Sequence, residues 1–270
     1  MILVQTVAIT LPLGLTEQFQ CHQLVLQQRF LIAGLSSGTL AIFRRRIDST
    51  TLQELVDSKP RMLEGHTGAL SCLLIGRAEG LGSAGYLLFS ASADRTVRVW
   101  DPAVRDLSKA CVQTLRGHGG TVTAIAFCHN ILITASTDRT IKLWKADEGR
   151  ELMLYPWFAP QQTLSDLDCW VNDVAFQLGE TEALYVGDER GDISAYKVER
   201  AAASRGGGGS QQVTLTRWRR QAKAHSLGIE TLRLIIEEQL LITSGYDNAV
   251  RLWDAVSGAA IMQVENEVHC

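Results

Sequence analysis

Residues 90–101 read Ser-Ala-Ser-Ala-Asp-Arg-Thr-Val-Arg-Val-Trp-Asp, and the pattern recurs twice more along the chain. It returns as Thr-Ala-Ser-Thr-Asp-Arg-Thr-Ile-Lys-Leu-Trp-Lys at 134–145 and as Thr-Ser-Gly-Tyr-Asp-Asn-Ala-Val-Arg-Leu-Trp-Asp at 243–254. A period of this kind means that one supersecondary unit is copied, and that each copy buries its apolar face only against the next. The unit is built of strands. Runs at 132–135, 140–144, 240–243 and 249–253 alternate β-branched and polar residues, while helical periodicity is scarce. Asp-Arg, Asp-Asn and Ser-Gly pairs between the runs predict tight turns. The expected fold class is therefore all-β.

The strand-ending aromatics Phe43, Trp100, Trp144, Tyr196 and Trp253 mark five repeats, spaced 57, 44, 52 and 57 residues apart. The shortest spacing matches the roughly 40–45 residues of one four-stranded propeller blade. The longer ones carry insertions: a Gly-rich loop at 76–85 and a flexible Ala-Ala-Ala-Ser-Arg-Gly-Gly-Gly-Gly-Ser loop at 201–210. Blades are expected at about 16–58, 59–115, 116–163, 164–220 and 221–270, forming a single domain. Residues 2–9 are left over as an edge strand rather than a secretion signal, having no basic lead or small-residue cleavage site. No run approaches the roughly 20 apolar residues of a membrane helix. The net charge of −3 draws the chain to neither nucleic acid nor anionic lipid. Six cysteines without a Cys-x-x-Cys pair suit a reducing compartment. The expectation is the cytoplasm, with the nucleus as the alternative, and not secretion.

The repeats resemble the WD40 family of β-propellers. Gly65-His66 pairs with Trp100-Asp101, Gly117-His118 with Trp144-Lys145, and Ala224-His225 with Trp253-Asp254. The resemblance implies a hydrogen-bonded tetrad in each of these blades. The matching residues are His66, Ser90, Asp94 and Trp100; His118, Thr134, Asp138 and Trp144; and His225, Thr243, Asp247 and Trp253. Such a set is self-consistent, because a buried carboxylate, indole N–H and hydroxyl each need a partner. The first repeat lacks the His and Asp. The fourth has Arg190 where the tetrad Asp would fall. Family members usually carry seven blades, so five pose a closure question. Either the ring closes, with 2–9 pairing near 261–264, or the propeller is open and a partner or a longer chain completes it.

Asp, His and Ser together are also the elements of a hydrolase triad. Here they recur three times, whereas a catalytic site need occur only once. No G-x-S-x-G elbow, P-loop or His-Glu-x-x-His helix is present. The pairs Cys21-His22, Cys128-His129 and His269-Cys270 point to opposite faces of a strand and make poor joint metal ligands. No catalytic residue, metal or cofactor is expected. The basic runs 44–46 and 217–220, with Lys223, read as charged edges that block sheet-to-sheet aggregation. The alternative is an RNA- or RNP-associated propeller that grips phosphates with them.

Family members commonly bind peptides or proteins on the top face, through the start of the innermost strand and the residue before the tetrad Asp. On this chain the resemblance assigns Thr121, Thr123 and Thr137 in the third blade, Trp170, Asn172 and Glu189 in the fourth, and Gly228, Glu230 and Tyr246 in the fifth. Arg190 adjoins them. Ala69, Ser71 and Ala93 of the second blade offer little. Val171 falls in register with the apolar Leu70 and Val122, so Trp170 should face outward. Tyr246 replaces Ala93 and Thr137 of sister repeats. The apolar segment 155–160 reads as an insert ahead of the fourth blade, either covering it or forming a second docking site. The expected function is a non-catalytic scaffold or adaptor that binds a protein or peptide partner within a larger complex.

Overall fold

The computed structural model describes residues 25–27, 30–44, 60–77, 86–102, 104, 106–128, 130–147, 157–177, 182–200 and 213–265. The expected edge strand at 2–9, the loop at 201–210, Arg45, Arg46 and the Cys-His partners Cys21, His22, His129, His269 and Cys270 lie outside them.

The described strands form five four-stranded antiparallel sheets, and no α-helix is present among the described residues. The chain divides into two compact units, Met1–Val122 and Thr123–Cys270. In the first unit, β1 (Val25–Gln27), β2 (Phe30–Gly34), β3 (Leu40–Arg44) and β4 (Arg61–Leu63) make one sheet. A second is made of β5 (Leu70–Arg77), β6 (Tyr86–Ser92), β7 (Val97–Trp100) and β8 (Cys111–Leu115). The second unit has β9 (Val122–Cys128, whose first residue ends the first unit), β10 (Ile131–Ser136), β11 (Ile141–Asp147) and β12 (Trp157–Leu164). It continues with β13 (Val171–Gln177), β14 (Ala183–Asp188), β15 (Ile193–Arg200) and β16 (Val213–Gln221), then β17 (Ile229–Ile235), β18 (Leu240–Gly245), β19 (Ala249–Asp254) and β20 (Ala260–Glu265). Strand order follows chain order in every sheet, so each is an up-and-down meander, the architecture of a propeller blade.

Two boundaries differ from the sequence reading. Arg61–Leu63 pairs with β3 and closes the first sheet, so the break at 58/59 moves beyond 63. The sequence repeat and the sheet are offset by one strand, because a blade's outermost strand lies just before the next blade's Gly-His. Arg61 then ties its sheet forward, donating to the carbonyls of Pro102 (3.0 Å) and Val104 (2.6 Å). The segment 155–160 is not an insert covering the fourth blade. Its described part opens β12, the outer strand of the third, where Phe158 is buried against Phe127 edge to face. Gly76 likewise lies within β5 rather than in a loop.

Both faces of an inner sheet are buried. In the second unit Leu184, Val186 and Tyr196 pack against Ile133, Ile141 and Leu143 of the preceding sheet. On the opposite face Tyr185, Ile193 and Ala195 pack against Ile229, Leu232, Leu241 and Trp253 of the following one. This double burial is why β10, whose residues 132–135 were expected to alternate, is buried along its whole length. The last sheet departs from it. Val250, the counterpart of Ile193, is 46% exposed where Ile193 is 5%. Its partner Val264 and the adjacent Met262 are also exposed, leaving an apolar face open to solvent.

Candidate functional site

Each blade's second hairpin turns through one residue in the left-handed region: Gly38 (φ 87°), Arg95 (70°), Arg139 (64°), Gly191 (83°) and Asn248 (57°). The turn delivers the preceding Asp to a His that comes from the start of the blade. In the second sheet His66 Nδ1 donates to Asp94 Oδ2 (2.8 Å), and His66 Nε2 accepts from Ser90 Oγ (2.8 Å). Ser90 Oγ accepts in turn from Trp100 Nε1 (2.8 Å). Thr96 and the backbone N–H of Thr67 complete the carboxylate shell. The fifth sheet repeats the set, with His225 on Asp247 (2.8 Å) and Thr243 (2.7 Å), and Trp253 on Thr243 (2.9 Å). There Arg251 adds a 2.8 Å bond to Asp247. In the third, Trp144 donates to Thr134 (3.0 Å), Asp138 accepts from Thr140 (2.6 Å), and His118 is buried.

These groups are poised for holding, not for proton transfer. Burial pushes the Asp94 carboxyl up, but bonds from Thr96, His66 and Thr67 outweigh it and hold it at about 2. Burial lowers His66 below its ordinary 6.5, against the raising effect of Asp94. Both groups have folded-state pKa values below their unfolded ones, so both contribute stability at neutral pH that is lost in acid. Stability is expected to fall as pH drops below about 6.5 through His66 and again between about 4 and 2 through Asp94. Circular dichroism melts from pH 7 to pH 2 check this, and a flat profile down to pH 4 would remove His66 from the account.

The fourth blade is clamped differently. Leu167 stands at the His position and packs apolar, and Val186 replaces the Ser/Thr. The Tyr196 hydroxyl lies buried near Asp166 and Arg217 without a hydrogen bond of good geometry, and burial pushes it up to about 12. Two aspartates shift the polar anchor along the turn. Asp188 accepts from the N–H groups of Arg190 and Asp192 (both 2.9 Å). Asp192 accepts from Arg220 (2.6 Å) and from the N–H of Lys223 (2.7 Å). The sequence reading missed Asp192, which holds Thr96's place in a sister repeat.

The same anchor draws in the basic edge. Residues 217–220 lie within the outer strand β16. Arg220 reaches Asp168 (2.8 Å) as well as Asp192, and Arg217 reaches Asp166 (3.3 Å). Arg219 stacks on the exposed Trp218 and donates to the Ala255 and Val256 carbonyls (2.9 Å each). The run binds carboxylates and carbonyls of its own chain, which leaves little for phosphates. Arg220→Ala is expected to lower stability by about 2 kcal/mol, the scale of a lost hydrogen bond to a buried charge. A chemical-denaturation midpoint measures it, and an unchanged midpoint would free Arg220 for another role.

The rim residues form one continuous ladder in the second unit. The N–H of Glu189 donates to the Trp170 carbonyl (3.1 Å), and that of Tyr246 to the Gly228 carbonyl (2.9 Å). Gly228 joins the two halves, since a Cβ there would meet the Glu189 carbonyl at 2.9 Å. Trp170 and Tyr246 are 53% and 54% exposed, and Leu227 beside them is exposed too, a residue the sequence reading did not single out. Val171 is buried as the register requires. Burial, Glu230 and Glu189 all raise the Tyr246 hydroxyl, so both carboxylates act on the same ring.

The innermost-strand positions prove to be bulges. Register shifts fall at Ser71, Asn172 and Glu230, and a bulge re-aims the extra side chain. Three of these strand-start residues are engaged within the protein. Ser71 donates to the Val122 carbonyl, Thr123 to Val171 (2.6 Å), and Asn172 to Ile229 (2.9 Å) and Glu189 (2.9 Å). Thr123 and Asn172 thus staple sheet to sheet, and Glu230 alone of the four is an exposed charge. Thr121 is half-buried.

Trp170 and Glu189 border an open cleft of about 490 Å³ lined also by Thr137, Arg139, Cys169 and Arg190. The Cys169 thiol is pushed up to about 11 by burial and by Asp188, which keeps it protonated and a poor nucleophile. Among the described residues, no three His, Cys, Asp or Glu side chains gather as a metal site, and no helix is long and apolar enough to cross a membrane.

Three segments, residues 58–101, 109–145 and 218–254, match the family described as WD domain, G-beta repeat. They end at the Trp-Asp, Trp-Lys and Trp-Asp pairs of the second, third and fifth sheets, and of the two sheets without a His-Asp tetrad they take in only outermost-strand residues, in β4 and β16. The chain is similar to zinc finger CCCH domain-containing protein 62 of Arabidopsis thaliana, 33% identical over 86 residues, which is 30% of this chain and 17% of that protein. It is also similar to nuclear distribution protein nudF 2 of Aspergillus clavatus, 43% identical over 68 residues, which is 25% of this chain and 14% of that protein. The chain thus spans less than a fifth of either relative.

Proposed function

We propose, from the premise that this chain is a WD40-repeat protein of the β-propeller class, that it is a non-catalytic scaffold gripping a protein or peptide on the rim around Trp170, Glu189, Glu230 and Tyr246. WD40 repeats serve in general as protein-interaction platforms, so the question is which surface acts. The observation that carries the reading is the ladder itself. Two large aromatics, each more than half exposed, stand on adjacent blades, one hydrogen-bonded through the backbone to Glu189 and the other to Gly228, and Gly228 packs closely on the Glu189 backbone. Aromatics on a rigid backbone are the side chains that dominate binding energy at interfaces. His66 and His225, which could have suggested an enzyme, are held in clamps, and Arg217 and Arg220 of the basic edge are held in ion pairs.

The test is a Trp170→Ala, Tyr246→Ala double variant used as bait in native extract, with captured proteins identified by mass spectrometry. Both side chains are exposed, so the variant should fold normally by circular dichroism. Loss of the partners held by the wild-type chain is expected. An unchanged set of partners on a folded variant would overturn the assignment of this face.

A further inference from the structure

We propose that the rim takes a cationic side chain, an arginine or lysine from an extended segment of a protein partner, seated between Trp170 and Tyr246 with Glu189 and Glu230 as counter-charges. The proposal rests on the rim reading and adds the chemistry of the occupant. Four observations converge. The two rings are exposed rather than packed, so their faces are available to a ligand. Glu189 is fixed in place, with its N–H on Trp170 and its carboxylate on Asn172, yet its bonding partner there is a neutral amide, so its charge is uncompensated. Glu230 occupies the bulge position of β17, the one strand-start residue not spent on a staple. Finally, none of the nearby cations is ion-paired with Glu189 or Glu230 among the described residues. Arg233 is held by Asp173 (2.9 Å), Arg220 by Asp168 and Asp192, and Arg251 by Asp247, and Arg139 and Arg190, which share a cleft with Trp170 and Glu189, make no ion pair with either carboxylate.

The physics favours a cation over a neutral apolar group. An aromatic face attracts a cation through its quadrupole, and carboxylates beside the ring strengthen that attraction when water is displaced. Glu189 is held by Asn172 and by its own backbone bond to Trp170, so little ordering of that carboxylate is needed on binding. An anionic segment would meet two carboxylates and be repelled. Asn172 holds the geometry without neutralising it, because its amide donates to both Glu189 and the Ile229 carbonyl.

The probe is the peptide acetyl-Gly-Ser-Arg-Ser-Gly-amide, compared with analogues carrying lysine, citrulline or glutamate in place of arginine. The readout is the Trp170 indole N–H resonance of the whole chain, assigned by its disappearance in Trp170→Phe. The arginine and lysine peptides are expected to shift this resonance, citrulline and glutamate not. Glu189→Gln with Glu230→Gln should weaken the arginine peptide about tenfold or more. These side chains are exposed, and glutamine can still accept from Asn172, so the fold should be kept. Equal binding of the citrulline peptide, binding unchanged in the double Gln variant, or no shift with any peptide would each overturn the cation proposal. The two readings fail separately. If the captured partners survive Glu→Gln but not Trp170→Ala with Tyr246→Ala, the rim stands and its cationic ligand falls.

Discussion

Ser90→Ala is expected to lower stability by about 3 kcal/mol, although it removes a single oxygen atom. Ser90 is fully buried, and its hydroxyl serves two partners, accepting from Trp100 Nε1 and donating to His66 Nε2. Without it both nitrogens are left buried and unpaired, at about 1–3 kcal/mol each. For a chain of this size the loss corresponds to roughly 6–12 °C in melting temperature. Ser90→Thr is the control. Thr134 and Thr243 make the same indole bond in sister blades, so threonine should restore most of the stability. A drop equal to that of alanine would show that shape, not hydrogen bonding, governs the site. Peptide binding at the rim of the second unit should be unaffected by either variant.

Gly191→Ala is expected to be as damaging and, unlike Ser90→Ala, to reach the binding rim. Its φ of 83° costs an alanine about 1 kcal/mol. The larger penalty is steric. A Cβ would drive into the carbonyl oxygens of His225 and Leu227, which are backbone atoms with no cheap way to move. Gly38 stands at the same turn in the first sheet, where a Cβ would meet the His66 and Gly68 carbonyls at 2.7 Å. Overpacking of this kind brings the total to about 3 kcal/mol. Gly191 also accepts from the N–H of His225 (2.9 Å), so relief of the clash shifts the start of the fifth blade relative to Glu189. The arginine peptide should bind more weakly even where the variant stays folded. Gly258→Ala separates strain from clash. It has a φ of 74° but would meet only the end of the Arg219 side chain, so about 1 kcal/mol is expected. Equal losses at both positions, measured by denaturant titration, would refute the backbone-collision account.

The two variants probe features of unequal visibility in the chain. The Ser90 clamp was legible because the resemblance to WD40 repeats assigns a tetrad whose residue types three repeats carry at the same offsets. Gly191 looked like an ordinary turn residue, because the atoms that forbid a side chain there belong to His225 and Leu227, more than thirty positions away. The outward set of Trp170 could be read from alternation, since Val171 must face the core. The engagement of Thr123 and Asn172 could not, because their acceptors are carbonyls of the next sheet, which local pattern does not locate. Arg190 falls where the tetrad Asp should be, and its replacement by Asp192 and Arg220 joins residues from different strands.

Period and alternation, then, were enough to set the fold class and the strand-and-turn grammar, and the resemblance to WD40 repeats supplied the clamps. The first two depend on local geometry or on a repeat compared with its own copies. Which rim side chains stay exposed was decided in three dimensions. Bulges re-aim side chains, neighbouring blades consume some of them as staples, and Arg217 and Arg220 of the basic edge are drawn into ion pairs. An aromatic pair and two carboxylates stay exposed, and hydrogen bonds between sheets are what leave them so.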